Sequence, residues 1–305
     1  NRKFQVYLNS IQKENGLQLN ISNGLWAQRD YRFLDEYTTL TNRNYVSKVS
    51  NLDFRNNNNA LKIINKWVVK NTNGKIKDLL KEIAPSTKLI LTNAMYFKGN
   101  WLDRFNDTPS EMHFTTAQDS IILIPQMTVE KKYRYYENDI MQMVDIPYKD
   151  DFLSMTIFLP KKNVLLDSLE NIITNKTMET WLDSALKKDA IIYLPKFRME
   201  CEYDLKTYLK SMGMILPFTD ADFSLMDGGH GLYIEEALHK AFVEVDEKGT
   251  EAAAATAVKI MPVSCTFQIE PNPPKIFRAD HPFFFIIRDT KLNCILFCGH
   301  LTNPK

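Results

Sequence analysis

Apolar and polar positions along the chain change period several times, and each change marks a predicted element. Phe4, Val6, Tyr7, Leu8 and Ile11 are spaced for a helix over Phe4–Ile11. Leu17-Gln-Leu-Asn-Ile-Ser22 alternates and predicts a strand that Leu25 and Trp26 continue. Helices are expected over Phe33–Ser47 and over Asn59–Leu80, the second on a face of Leu61, Ile63, Ile64, Trp67, Val68 and Val69. Gly74 breaks that helix, Lys75–Ile83 resumes it, and Pro85 with Ser86 ends it. Leu89–Phe97 is short and almost wholly apolar, as a central buried strand is. Strands follow over Asp119–Met127, Tyr133–Pro147 and Leu153–Leu159, then a helix over Leu165–Leu186 and a strand over Ala190–Leu194 that Pro195 stops. A helix over Leu205–Gly213, a turn over Asp227–Gly231, an apolar strand-like run Leu232–Val245, and strands over Pro282–Arg288 and Cys294–Leu301 complete the reading. This mixture predicts one α+β domain over residues 1–305 with large mixed or antiparallel sheets.

Between the run ending at Val245 and a proline-rich segment over Met261–Pro274 lies Glu247-Lys-Gly-Thr-Glu-Ala-Ala-Ala-Ala-Thr-Ala257. Propensity favours a helix there, with Thr250 able to cap it. The alternate positions permit a strand instead. Thr250, Ala252, Ala254, Thr256, Val258 and Ile260 are uncharged, whereas Glu251 and Lys259 fall in the other register. Successive strand side chains point to opposite faces, so the first set suits a core and the second suits water.

Of the 305 residues, 44% are hydrophobic and 25% charged, as in an ordinary folded chain. A net charge of +1 supplies no broad field for nucleic acid or a membrane surface, and neither is expected as a partner. No apolar run approaches the ~20 residues a spanning helix needs. The opening Asn1-Arg-Lys-Phe-Gln reads like the middle of a domain, so a true N-terminus is expected upstream. Cys201, Cys265, Cys294 and Cys298 form no close pair, and free thiols are expected.

Candidate catalytic chemistry is thin. None of His113, His230, His239, His281 and His300 pairs at metal-ligand spacing, and no metal or cofactor is expected. Gly228-Gly-His-Gly231 lacks the strand-to-helix setting of a phosphate loop. Ser184-Ala-Leu-Lys187 has the bare SxxK spacing of some acyl enzymes but no companion motif. Lys131–Tyr136 mixes basic and aromatic residues, as a solvated strand edge does. The chain is not expected to be an enzyme.

Several separated segments resemble the serpin family, in order and across nearly the whole chain. Val245-Asp-Glu-Lys-Gly-Thr-Glu-Ala-Ala-Ala-Ala-Thr-Ala257 resembles its hinge, and Leu91-Thr-Asn-Ala-Met-Tyr-Phe-Lys-Gly-Asn-Trp101 the third strand of its main sheet. Leu194-Pro-Lys-Phe197 resembles the sixth strand and Ala237-Leu-His-Lys-Ala-Phe242 the fifth. Phe277-Arg-Ala-Asp-His-Pro-Phe-Phe-Phe285 and Ile295-Leu-Phe-Cys-Gly-His300 resemble the C-terminal strands. The spelling of Asn23-Gly-Leu-Trp-Ala27 and Ile64-Asn-Lys-Trp67 is similar to that of bacterial or archaeal members. The family's first three helices find no counterpart, since Phe4-Gln-Val-Tyr-Leu-Asn9 already resembles the fourth.

The resemblance implies a serpin fold with a large central sheet and an exposed reactive-centre loop over about 247–274. It implies a suicide inhibitor whose cleaved loop inserts into that sheet while the target serine protease stays bound as an acyl complex. The hinge would be Glu247, Gly249, Thr250, Glu251, Ala252, Ala253, Ala254, Ala255 and Thr256, with the even-numbered small residues buried on insertion. Family spacing implies Val263-Ser264 as the scissile bond, and valine there suits elastase-like proteases. Lys259-Ile260, Cys265-Thr266 and Phe267-Gln268 remain open, because the segment after the bond is long. Asn93 and His239 match residues at the point where the sheet parts, Lys196 and Glu247 an ion pair near the opening, and Trp101 a tryptophan beside it. A secreted, extracellular monomer is implied. The alternatives are a non-inhibitory serpin serving as chaperone or carrier, an inactive fragment, and an SxxK enzyme.

Overall fold

The computed structural model describes residues 7, 17–106, 108, 110–149, 152–247 and 273–304. In chain order the elements are β1 (Gln18–Gln28), α1 (Asp35–Tyr45), β2 (Lys48–Leu52), α2 (Asn57–Asn71), β3 (Leu89–Lys98), β4 (Ser110–Thr115), β5 (Ile121–Glu137), β6 (Met141–Pro147) and β7 (Leu153–Pro160). There follow α3 (Leu166–Glu170), α4 (Asn175–Ser184), β8 (Leu186–Pro195), β9 (Phe197–Asp204), α5 (Leu205–Ser211), α6 (Ser224–Asp227), β10 (Glu236–Val245), β11 (Lys275–Arg278), β12 (Phe283–Asp289) and β13 (Cys294–Leu301). The α+β expectation holds.

Two compact units divide the chain, Asn1–Lys98 with Arg198–Glu244 and Gly99–Phe197 with Val245–Lys305. The first is built on a five-stranded sheet of order β2-β1-β3-β10-β9. α2 lies on one face because Ala60, Ile64 and Val68 recur at helical spacing and are buried. Ile64 joins Trp26, Phe54 and Ile90, while Val68 joins Ala94, Tyr96 and Phe242. Ile64 and Val68 are wholly buried, each worth about 2 kcal/mol of transfer free energy. The second unit carries an eight-stranded sheet, β11-β8-β5-β6-β7-β12-β13 with β4 on β5. There α4 buries Met178, Trp181 and Leu182 against Met143, Phe158 and Ile286.

Three expectations are corrected. Lys75–Ile83 is not helical. Its Ile76, Leu79, Leu80 and Ile83 are buried as the helical spacing implies, but the backbone bonds go elsewhere. The Thr72 hydroxyl donates to Val68 O and accepts from Ile76 N, and the Asn65 amide bonds both the N–H and the C=O of Leu80. The helix over Leu165–Leu186 is two helices, because Thr174 caps a fresh start with Thr177 in a reciprocal pair of side chain–backbone bonds. Finally, the strands expected over Asp119–Met127 and Tyr133–Pro147 are divided elsewhere: β5 runs unbroken from Ile121 to Glu137, and the chain turns at Asn138, whose side chain accepts from the N–H groups of Ile140 and Met141 ahead of β6. The strands β2, β4, β9 and β11 lie where the apolar spacing predicted no element, although Phe277 and Arg278 of β11 fall in a segment that resembles the C-terminal strands.

Candidate functional site

The sheet of the first unit has a parallel junction in its middle. β1 and β3 run antiparallel, with Asn23 opposite Asn93. β10 runs parallel to β3, from Glu236 opposite Ile90 to Val243 opposite Phe97. A strand of opposite direction laid between β3 and β10 would therefore be antiparallel to both neighbours, the pairing with the straighter hydrogen bonds.

Register aligns a polar ladder across this seam. Asn23, Asn93 and His239 occupy matching positions on β1, β3 and β10. Asn93 donates through Nδ2 to Asn23 Oδ1 at 2.7 Å, and its Oδ1 lies 2.7 Å from His239 Nδ1. The amide oxygen only accepts, so Nδ1 of His239 carries the proton. Asn23 in turn donates to the carbonyl of Tyr45 at 3.2 Å. From β9 the ring of Tyr203 stacks on the imidazole, centroids 6.1 Å apart. Burial pushes the His239 pKa below its ordinary 6.5, so the ring is neutral at pH 7. The ladder thus crosses the seam through neutral hydrogen bonds.

One step past the last paired residues, Glu244 of β10 is buried among three cations. Lys75 stands 3.2 Å away, Lys98 of β3 3.3 Å and Arg198 of β9 3.2 Å. Burial opposes ionisation, but Lys75 and Lys98 hold the carboxyl below the usual carboxylate range.

In the second unit the residues that directly follow β10 are fixed twice. Trp101 donates through Nε1 to the carbonyl of Asp246 at 2.8 Å, and Lys196 meets Glu247 at 2.8 Å. Trp101 is itself held by the Tyr148 ring, stacked at 4.5 Å, and by Phe105 edge-on at 5.6 Å.

The structure therefore brings Asn93 to His239, and Lys196 to Glu247. Gly249, Thr250, Glu251, Ala252, Ala253, Ala254, Ala255, Thr256, Val263 and Ser264 lie outside the described residues. Sequence reasoning missed Asn23, Tyr203 and the Glu244 cluster. Both strands carry several polar residues, so nothing local marks Asn23 or Glu244, and their partners come from distant segments.

A family model described as Serpin (serine protease inhibitor) matches residues 1–304. An uncharacterized serpin-like protein of Thermococcus kodakarensis is 37% identical over 305 residues, covering 99% of this chain and 71% of its own length. Human Serpin B3 is 38% identical over 312 residues, covering 99% of this chain and 79% of its own. Among solved structures, uncleaved ovalbumin superposes with a TM-score of 0.87 at 28% identity, over 98% of this chain and 78% of that one.

Proposed function

The chain belongs to the serpin family, a family of protease inhibitors, and from that premise we propose that it is an inhibitory member that traps serine proteases by loop insertion. The observation that carries the proposal is the parallel seam between β3 and β10. β10 leads through Glu247 straight into the alanine-rich stretch. A chain that reversed there and entered the seam would gain antiparallel partners on both sides. The protease would attack the loop after Val263, be acylated at that carbonyl and release Ser264 as a new amino terminus. The freed segment would then enter the seam before water reached the acyl bond.

In this reading Asn93 and His239 close the seam until insertion, and exchange one neutral hydrogen bond for others as it parts. Lys196 and Glu247, with Trp101 on Asp246, set where the chain leaves the sheet. Glu251 stays in water and the small residues Thr250, Ala252, Ala254 and Thr256 face inward, so no unpaired charge is buried. Val263 suits the small apolar specificity pocket of an elastase-like enzyme.

Mixing the protein with pancreatic elastase tests the reading. A detergent-stable adduct, with the released peptide beginning at Ser264 by mass spectrometry, is expected. Clean cleavage with no adduct would show a substrate rather than an inhibitor, and a different new terminus would move the scissile bond.

A further inference from the structure

Glu244 has more cations than its charge requires, and they stand on different sides of the seam. Lys98 is on β3, whereas Arg198 is on β9, the neighbour of β10 away from the seam. Lys75 belongs to the segment after α2, which is bound to β10 and β9 again where Lys240 donates to Lys77 O at 2.9 Å and Lys81 meets Glu202 at 3.0 Å. The Glu244 side chain is only 6% exposed, so its charge needs partners at every stage.

We infer that the Glu244 cluster is an asymmetric latch on the seam, tied across it by Lys98 and neutralised from the near side by Lys75 and Arg198. The inference rests on the reading of the seam as the place of strand insertion. A strand that enters there displaces β3 from β10 by one strand spacing, ~4.8 Å. The direct Lys98 contact with Glu244 at 3.3 Å is then given up. Arg198, on the strand that borders β10 away from the seam, stays beside it, so the buried carboxylate is never left alone. The latch therefore resists opening through the Lys98–Glu244 pair, and it leaves no orphaned charge behind.

This asymmetry gives two neighbouring cations opposite effects. Lys98→Met removes the tie across the seam and leaves Glu244 compensated, so insertion is faster. Arg198→Met leaves Glu244 more dependent on the partner that opening removes, so insertion is slower. If the cluster merely supported the fold, both variants would loosen it and both would speed insertion.

The test offers the full-length, uncleaved protein a synthetic peptide copying Thr250–Met261. Uptake is followed by native-gel mobility and by the rise in melting temperature. Lys98→Met is expected to take up the peptide about five-fold faster than wild type, the rate equivalent of one partly exposed ion pair, and Arg198→Met at least about three-fold slower. Arg198 is 71% exposed, so that variant is expected to fold. Should Lys98→Met not fold, Lys98→Gln removes the charge while keeping most of the length. If wild type takes up peptide but both variants shift the same way, or neither shifts, the latch alone is overturned. If wild type takes up no peptide and loop cleavage leaves the melting temperature unchanged, the insertion reading fails and the latch falls with it.

Discussion

Asn93 and His239 face each other across the parallel junction of β3 and β10, with Oδ1 and Nδ1 2.7 Å apart. The bond fixes the tautomer, and burial fixes the charge. An imidazole whose folded pKa is held below 6.5 resists a proton that the unfolded chain accepts at about 6.5. As pH falls through that value the unfolded state binds the proton first, so stability is lost on acidification and is fully present above it. The melting temperature should be level around neutral pH and fall as pH drops below 6.5. His239→Gln should lose the portion of that fall nearest neutrality. Identical pH profiles for the two proteins would remove His239 as the titrating group.

Gly24 sits opposite Thr92 in the β1–β3 register, where there is no room for a side chain. A Cβ at this position would stand 2.5 Å from Thr92 Oγ1 and 2.7 Å from Trp26 Nε1. Those two atoms are themselves joined, Trp26 donating to Thr92 at 2.9 Å in a buried bond. Gly24→Ala must push them apart, adding overpacking to a lost hydrogen bond for a cost of about 2–4 kcal/mol. A lower urea midpoint with an unchanged slope is expected. A midpoint equal to wild type would mean that β1 shifts without strain.

Much of this was legible in the sequence, and the rest had physical reasons not to be. Strands such as Leu89–Lys98 and Leu153–Pro160 are short, mostly apolar runs buried on both faces, so length and composition identify them where period does not. The segment after α2 misleads, because Ile76, Leu79, Leu80 and Ile83 have helical spacing and are buried, yet Asn65 and Thr72 take the backbone bonds a helix would need. Side-chain capture of backbone from a distance leaves no local pattern. Asn93, His239, Lys196 and Glu247 were legible through resemblance to serpins, and each pair meets in the structure. The Glu244 cluster draws on Lys75, Lys98 and Arg198, which only folding assembles.

In the second unit Asp145 and Arg288 form a buried pair, 3.1 Å apart and each under a tenth exposed. Thr156, on the strand between them, donates to Asp145 at 2.6 Å and accepts from Arg288 at 3.3 Å. Asp145→Ala would leave the guanidinium buried with a hydroxyl for company, and about 3–5 kcal/mol of destabilisation is expected. Replacing both, Asp145→Leu with Arg288→Met, should recover most of that loss. Denaturant titration of the single and double variants decides. A double variant no better than the single would show that the pair itself, and not the orphaned charge, carries the stability.

Thr250 is the position at which the proposed insertion is most exposed to disproof. It is the first small residue of the register that the alternation assigns to the interior, and Glu251 belongs to the other. An arginine at 250 would have to carry an uncompensated charge under the sheet, which costs far more than one buried methyl group gains. Insertion would slow, the acyl bond would be hydrolysed first, and the inhibitor would become a substrate. Thr250→Arg mixed with pancreatic elastase should therefore yield cleaved protein and active enzyme in place of a detergent-stable adduct. Glu251→Arg, which keeps its charge in water on insertion, should still form the adduct. The pair of variants isolates direction from composition, because they place the same residue one step apart in the chain. Equal adduct yields from both would mean that the strand does not enter the sheet with alternate faces in and out.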